Sequence, residues 1–306
     1  MRQTLRLSLW VIIIASLILG LAFPLSAPAK DYEDEVYVYD LFRDASNCLE
    51  LFSRLRRLQL RPTVILSVEE GPEFILDRQE GEQQLSCVLQ FLRGSGRKVK
   101  AMFLQDPSFL RDSREAVRRA GLLGEFNAKH PGKLAGAKVD VEPHADTDWE
   151  KGTPDERRRM LKGLHVLLRQ VRPHLNGLVL GAAIPWWYAA VMEEYPEAAP
   201  QALFQVADEL YFMLYGDDQN PNPLEVLRLF GWVGNAPMFS DQGRVFVVLA
   251  TYQFPTKKRL ELGLRQIRRV LSPNPNFAGT AVFHAQSAFR SDNAEPKLPA
   301  AGGAAR

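Results

Sequence analysis

The segment GAKVDVEPH, residues 136–144, decides the fold. Val139 and Val141 alternate with Lys138, Asp140 and Glu142, the period of a half-buried strand, which predicts a strand over 136–141 closed off by Pro143. A helix start follows. Thr153 is an N-cap candidate, Pro154 takes the first helical position and Glu156 stands three residues after the threonine. Met160, Leu161, Leu164, Leu167, Leu168 and Val171 then form one apolar stripe, predicting a helix over 154–172. The unit is a strand followed by an amphipathic helix.

The same unit recurs in both directions. Short runs rich in Val, Ile, Leu, Tyr and Phe predict strands over 35–42, 62–67, 99–103, 177–184, 209–214, 244–251 and 279–284. Helical patterns fall between them, over 45–60, 81–92, 109–128, 188–205, 223–230 and 257–271. Strictly alternating strands and helices imply parallel strands with helical crossovers. Eight such units match an α/β fold of the single (β/α)₈ TIM-barrel type over 30–290. A doubly wound open sheet is the competing topology, but no Gly-rich phosphate turn follows the first strand.

The ends of the chain read differently. Arg2 and Arg6 precede an apolar run from Leu9 to Phe23, and Ala27-Pro28-Ala29 follows as a small-residue cleavage pattern. Residues 1–29 are therefore expected to be a signal peptide, giving an exported protein, periplasmic or extracellular, with no membrane attachment after cleavage. An uncleaved membrane anchor is the other reading of the run, which is short for a span. Residues 291–306, rich in Ala, Gly and Pro, are expected to be a disordered tail. The 306-residue chain carries 38 Lys and Arg against 36 Asp and Glu, a net charge of +2. That excess is Arg2 and Arg6, so the remainder balances at 36 against 36. A balanced chain without a basic run gives no support for a nucleic-acid partner. Cys48 and Cys87 lack zinc or thioredoxin spacing, leaving either a disulfide or two buried thiols.

In such a barrel the reacting groups stand at the carboxyl ends of the strands. The candidates there are Asp40, Glu69, Asp106, Asp140, Glu142, His144, Trp186, Trp187, Tyr215, Asp217, Tyr252 and His284. Asp140 and Glu142 are two apart and face the same side of the fourth strand. Two carboxylates so close in a partly dry site resist joint ionisation, as a general acid requires, although a salt bridge to Lys138 would give the same pattern a structural meaning. The Trp186-Trp187 pair suggests an indole platform for an apolar sugar face. A divalent ion held by Asp140, Glu142, His144 and His284 ranks lower, because no paired-histidine spacing supports it, and no cofactor is implied.

These residues bear a resemblance. The fourth-strand segment VDVEPH, followed by Trp149, resembles the D-x-E strand of secreted glycoside hydrolase barrels. FMLYGDD, residues 212–218, resembles the sixth-strand M-x-Y-D segment of the chitinase-like family 18 hydrolases, and AVFHAQSAFR, residues 281–290, looks like the last strand of related bacterial barrels. The resemblance implies an exported enzyme acting on a polysaccharide or oligosaccharide. Glu142 would be the general acid, Asp140 the carboxylate that orients an N-acetyl nucleophile, and Tyr215 and Asp217 the sixth-strand contacts. The chain departs from the pattern at Ala135 and Lys138, where the family carries aspartates, and at Phe283 and His284, where it carries a tryptophan. Two other readings stand beside it: a carbohydrate-binding barrel without turnover, which Lys138 favours, and a metal-dependent hydrolase. Glycan, linkage, stereochemical course and oligomeric state are not encoded in any motif.

Overall fold

The computed structural model describes residues 32–45, 47–130, 134–146, 149, 151–185, 194–198, 200–215 and 243–283. The signal-peptide and tail readings and the expected helix over 223–230 lie outside them. Eight parallel strands close into a barrel: β1 (Glu33–Val38), β2 (Thr63–Ser67), β3 (Lys98–Phe103), β4 (Gly136–Val139), β5 (Leu180–Pro185), β6 (Glu209–Met213), β7 (Arg244–Ala250) and β8 (Phe277–Phe283). Each pairs with its sequence neighbours, and β8 returns to β1 with Val36 opposite Val282. The expected TIM-barrel topology is the observed one.

Five long helices accompany the strands: α1 (Cys48–Arg56), α2 (Gly81–Gly94), α3 (Arg114–Lys129), α4 (Pro154–Val171) and α5 (Lys257–Leu271). Their starts follow local chemistry. Asn47 caps α1 by accepting from the Glu50 amide at 3.0 Å, and Thr153 and Glu156 form a reciprocal capping box on α4. The expected single helix over 188–205 is not seen. Its described part is a 3₁₀ turn at Pro196–Ala198 followed by one helical turn at Pro200–Leu203. Pro196 and Pro200 lack amide donors, so a continuous helical ladder cannot pass through them.

Strand alternation divides the core in two. Val36, Val38, Val64, Leu66, Val139, Val141, Leu210 and Val247 pack outward against helix residues such as Leu51, Leu89, Leu123, Leu164 and Leu264. Tyr37, Ile65, Met102, Tyr211, Phe246, Val248 and Ala281 fill the barrel interior. Two lysines also point inward, Lys100 and Lys138, and both are buried. Space for them comes from glycines: a Cβ on Gly181 would stand 2.8 Å from the Tyr211 ring and 3.7 Å from Lys138 Cγ.

Two strand ends differ from the sequence reading by three residues or more. β1 was expected to run to residue 42 but ends at Val38, because Asp40 takes a left-handed conformation at φ 49° and turns Leu41 and Phe42 back into the core. β5 begins at Leu180, not 177, since Asn176 (φ 48°) and Gly177 (φ 75°) make the preceding turn.

Cys48 and Cys87 form a disulfide joining the first turn of α1 to the middle of α2. Their half-buried positions exclude the reading of two buried thiols. The bridge closes a sequence separation of 39 residues. Loop-closure entropy at that length amounts to about 4 kcal/mol, so Cys87→Ser is expected to lower the unfolding free energy by roughly 2–4 kcal/mol in urea titrations. Dithiothreitol should reproduce the loss in the wild type and leave the variant unchanged.

Candidate active site

The carboxyl end of β4 carries the site. Ladder bonding stops at Val139, but the Asp140 amide still donates to Leu104 O at 3.2 Å, and Val141 remains packed in the outer layer. The backbone therefore stays extended for three more residues, leaving Asp140 and Glu142 on the inward face. Pro143–Ala145 then turns away as a 3₁₀ segment. Both carboxylates are partly open, at 13% side-chain exposure for Asp140 and 25% for Glu142.

Each carboxylate has a defined neighbour. Asp140 Oδ1 accepts from Lys138 Nζ at 2.9 Å, and its Oδ2 accepts from the Tyr39 hydroxyl at 3.4 Å. Glu142 Oε2 lies 3.0 Å from His144 Nε2. Lys138 is 1% exposed and sits 4.1 Å from the centroid of the Tyr37 ring and 5.2 Å from that of Tyr211. Burial pulls its pKa below the ordinary lysine range, against the opposing attraction of Asp140.

Aromatic side chains from four strand ends surround the pair. Tyr39 follows β1, Tyr215 follows β6, Tyr252 follows β7 and Phe283 ends β8. Phe283 meets the Tyr39 ring edge-on at 5.3 Å and stacks on Tyr215 at 5.2 Å, while Tyr252 meets Tyr215 at 6.3 Å. Burial first, and then the charge of Asp140, push the Tyr39 and Tyr215 hydroxyls well above the ordinary tyrosine range. Both remain protonated and able to donate. Tyr252 is 45% exposed and presents a ring to solvent.

The other candidates are placed elsewhere or fall outside the described residues. Asp40 pairs with Arg43 at 2.8 Å on the surface. Glu69 was a candidate contact but is buried: it pairs with Arg119 of α3 at 2.6 Å and accepts from the Gln105 amide at 3.0 Å, which occupies both its oxygens. Asp106 caps the 3₁₀ turn Pro107–Leu110 through the Ser108 amide at 2.8 Å. Trp149 turns to the outer layer, with its ring under the Arg157 guanidinium. Trp186, Trp187, Asp217 and His284 lie outside the described residues. Among the described residues no group of three or more His, Cys, Asp or Glu side chains gathers closely enough to hold a metal ion.

Sequence reasoning did not single out Tyr39 or Phe283 as site residues. The signal for Tyr39 was present in YVYD, residues 37–40, where two tyrosines alternate on the inward face of β1. Phe283 was noted only as a departure from the family tryptophan. The inward stacking of Tyr37 on Tyr39 confirms the shared face.

Solved structures resemble this barrel. A GH18 chitinase from Pseudoalteromonas aurantia shares 15% identity over 82% of this chain and 93% of its own, with a TM-score of 0.53. An exo-beta-1,4-mannosidase from Opitutaceae bacterium strain TAV5 shares 13% identity over 82% of this chain, which spans about half (51%) of that enzyme, at a TM-score of 0.54. The spore cortex-lytic enzyme SleL of Bacillus cereus shares 10% identity over 83% of this chain and 71% of its own, at 0.53. What they share with this chain is the fold. No protein-family model and no curated protein matches the sequence.

Proposed function

We propose that the protein is an exported glycoside hydrolase acting on a polysaccharide or oligosaccharide at the carboxyl-end rim of its barrel. The observation that carries this reading is the placement of Asp140 and Glu142: two partly open carboxylates on one face, set among Tyr39, Tyr215, Tyr252 and Phe283. Rings present flat apolar surface to the faces of sugars, and the Tyr215 and Tyr252 hydroxyls donate to sugar oxygens. Solved barrels of the same fold include a chitinase, a mannosidase and a cortex-lytic enzyme, which supports this reaction class.

Glu142 acts as the general acid. Its proton passes to the glycosidic oxygen as the bond from that oxygen to the anomeric carbon breaks, and the electron pair leaves with the oxygen. The anomeric carbon gains positive charge, which the Asp140 carboxylate faces. Water then supplies the hydroxyl, and its proton returns to Glu142. Where the substrate carries an N-acetyl group, Asp140 orients it. Trp186, Trp187, Asp217 and His284 complete the substrate contacts in this reading, and His144 holds the Glu142 carboxyl in place. Export is supported by the Cys48–Cys87 disulfide, a bond favoured outside the cytosol, together with the apolar leader and its Ala27-Pro28-Ala29 pattern.

A second reading, a carbohydrate-binding barrel without turnover, is favoured by the ion pair from Lys138 to Asp140. Reducing-end release from a broad glycan panel decides between them. The hydrolase releases ends from at least one glycan, and release survives chelator. Binding of a glycan without release overturns the first reading in favour of the second.

A further inference from the structure

Lys138 is a charged group that the reaction above does not use. It lies inside the barrel, two residues before Asp140 and on the same face of β4. A buried ammonium is costly unless it is paired and hydrogen-bonded. Among the described residues Asp140 is the carboxylate within hydrogen-bond reach, and Met102 Sδ at 3.9 Å is a weak second acceptor. The rest of its surroundings are shaped to admit it: the Tyr37 and Tyr211 rings offer their faces, and Gly181 across on β5 leaves room for its stem.

We propose that Lys138 is a positioning residue that holds Oδ1 of Asp140 and so turns Oδ2 toward Tyr39 and the rim. The assignment rests on reading Asp140 and Glu142 as the reacting carboxylates. It divides their labour. Asp140, anchored from below by a cation, is a fixed negative charge facing the developing positive charge of the sugar, and proton donation is left to Glu142.

Among the described residues the groups facing Lys138 are Asp140 and Glu142 beyond the end of its own strand, Glu35 and Tyr37 from β1, Met102 from β3 and Tyr211 from β6, whose ring it shares with Lys100. With its pKa depressed by burial, Lys138 loses its proton at a lower pH than an ordinary lysine. Both proteins share the alkaline fall that follows loss of the Glu142 proton, and the wild-type kcat/KM profile should carry a further alkaline fall that Lys138→Met lacks.

The test is a double-mutant cycle in the full chain with Lys138→Met, Asp140→Asn and both. Lys138→Met is expected to lower kcat by about 10²-fold with KM within about threefold, because a preorganised transition-state charge is lost and ground-state binding is not. If Lys138 acts through Asp140, the double variant is no worse than the poorer single within about threefold. Additive losses, or a Lys138→Met kcat equal to wild type, overturn the assignment while leaving the hydrolase reading intact. Lys138→Gln carries the same cycle if the Met variant does not fold. If the wild type binds a glycan but releases no ends, the hydrolase reading fails and the cycle is read in Kd, with the same non-additivity expected and additivity overturning the assignment. Neither release nor binding by the wild type overturns both.

Discussion

Glu142→Gln is expected to lower kcat on a released glycan by about 10²–10⁴-fold, the range that a positioned general acid contributes. The substitution preserves shape, and the amide still reaches His144 across the 3.0 Å contact. What disappears is the transferable proton, so the departing oxygen must leave as an alkoxide. KM should stay within a few-fold, and calorimetry should find glycan binding retained, because the tyrosine and phenylalanine rings are untouched. A substrate with an activated phenol as leaving group needs little protonation, and on it the variant should recover much of the lost rate. Equal losses on activated and ordinary substrates would remove Glu142 from the acid role. Folding is not at stake: Glu142 is partly open and, among the described residues, belongs to no buried ion pair with Lys or Arg.

The fold was legible because its signal is a repeated one. Each strand–helix unit restates the same alternation, so an error in one unit, such as the expected helix over 188–205, does not disturb the barrel. Pro196 and Pro200 stand in that stretch and remove two amide donors, so the local signal against one continuous helix is in the sequence itself. The Asp140 and Glu142 face followed from strand period alone, since Val139 and Val141 had to point outward. Which acidic strand-end residues would be held by partners did not follow. Glu69 and Asp140 look alike in sequence, but Glu69 meets Arg119 from a helix 50 positions away, and only the docking of α3 on the barrel brings that arginine there. The Tyr39 and Phe283 edge contact, between the first and last strands, likewise exists only once the barrel closes.

Lys100→Met is expected to destabilise the protein by about 3–5 kcal/mol, the cost of removing one partner from a buried ion pair. Lys100 uses all three of its donors inside the barrel, to Glu35 Oε1 at 2.8 Å, Glu209 Oε2 at 2.7 Å and the Tyr211 hydroxyl at 2.8 Å. Arg244 reaches Glu209 from the other side at 2.7 Å, so Glu209 keeps an ion pair without Lys100, but Glu35 keeps no direct ion pair among the described residues. Burial pushes Glu35 above the ordinary carboxylate range even with Lys100 present. For Lys100 itself burial works downward, and the charges of Glu35 and Glu209 outweigh it, leaving its pKa raised. A raised folded-state pKa means the stabilisation is fully present below the ordinary lysine range and is lost as pH rises through the raised value. The variant should behave in the opposite sense: it is least deficient at acid pH, where Glu35 takes a proton and no longer needs a cation, and most deficient near neutrality. Urea titrations across that pH range measure both. Lys100→Met with Glu35→Gln should recover much of the loss, because it removes the stranded charge with its partner. Against a total stability of about 5–15 kcal/mol the single substitution takes a large share, whereas Arg114→Ala, which breaks only an exposed pair with Asp112, should leave the urea midpoint nearly unchanged. Equal and small effects of the two would mean that water enters the barrel end and hydrates Glu35, which its complete burial argues against.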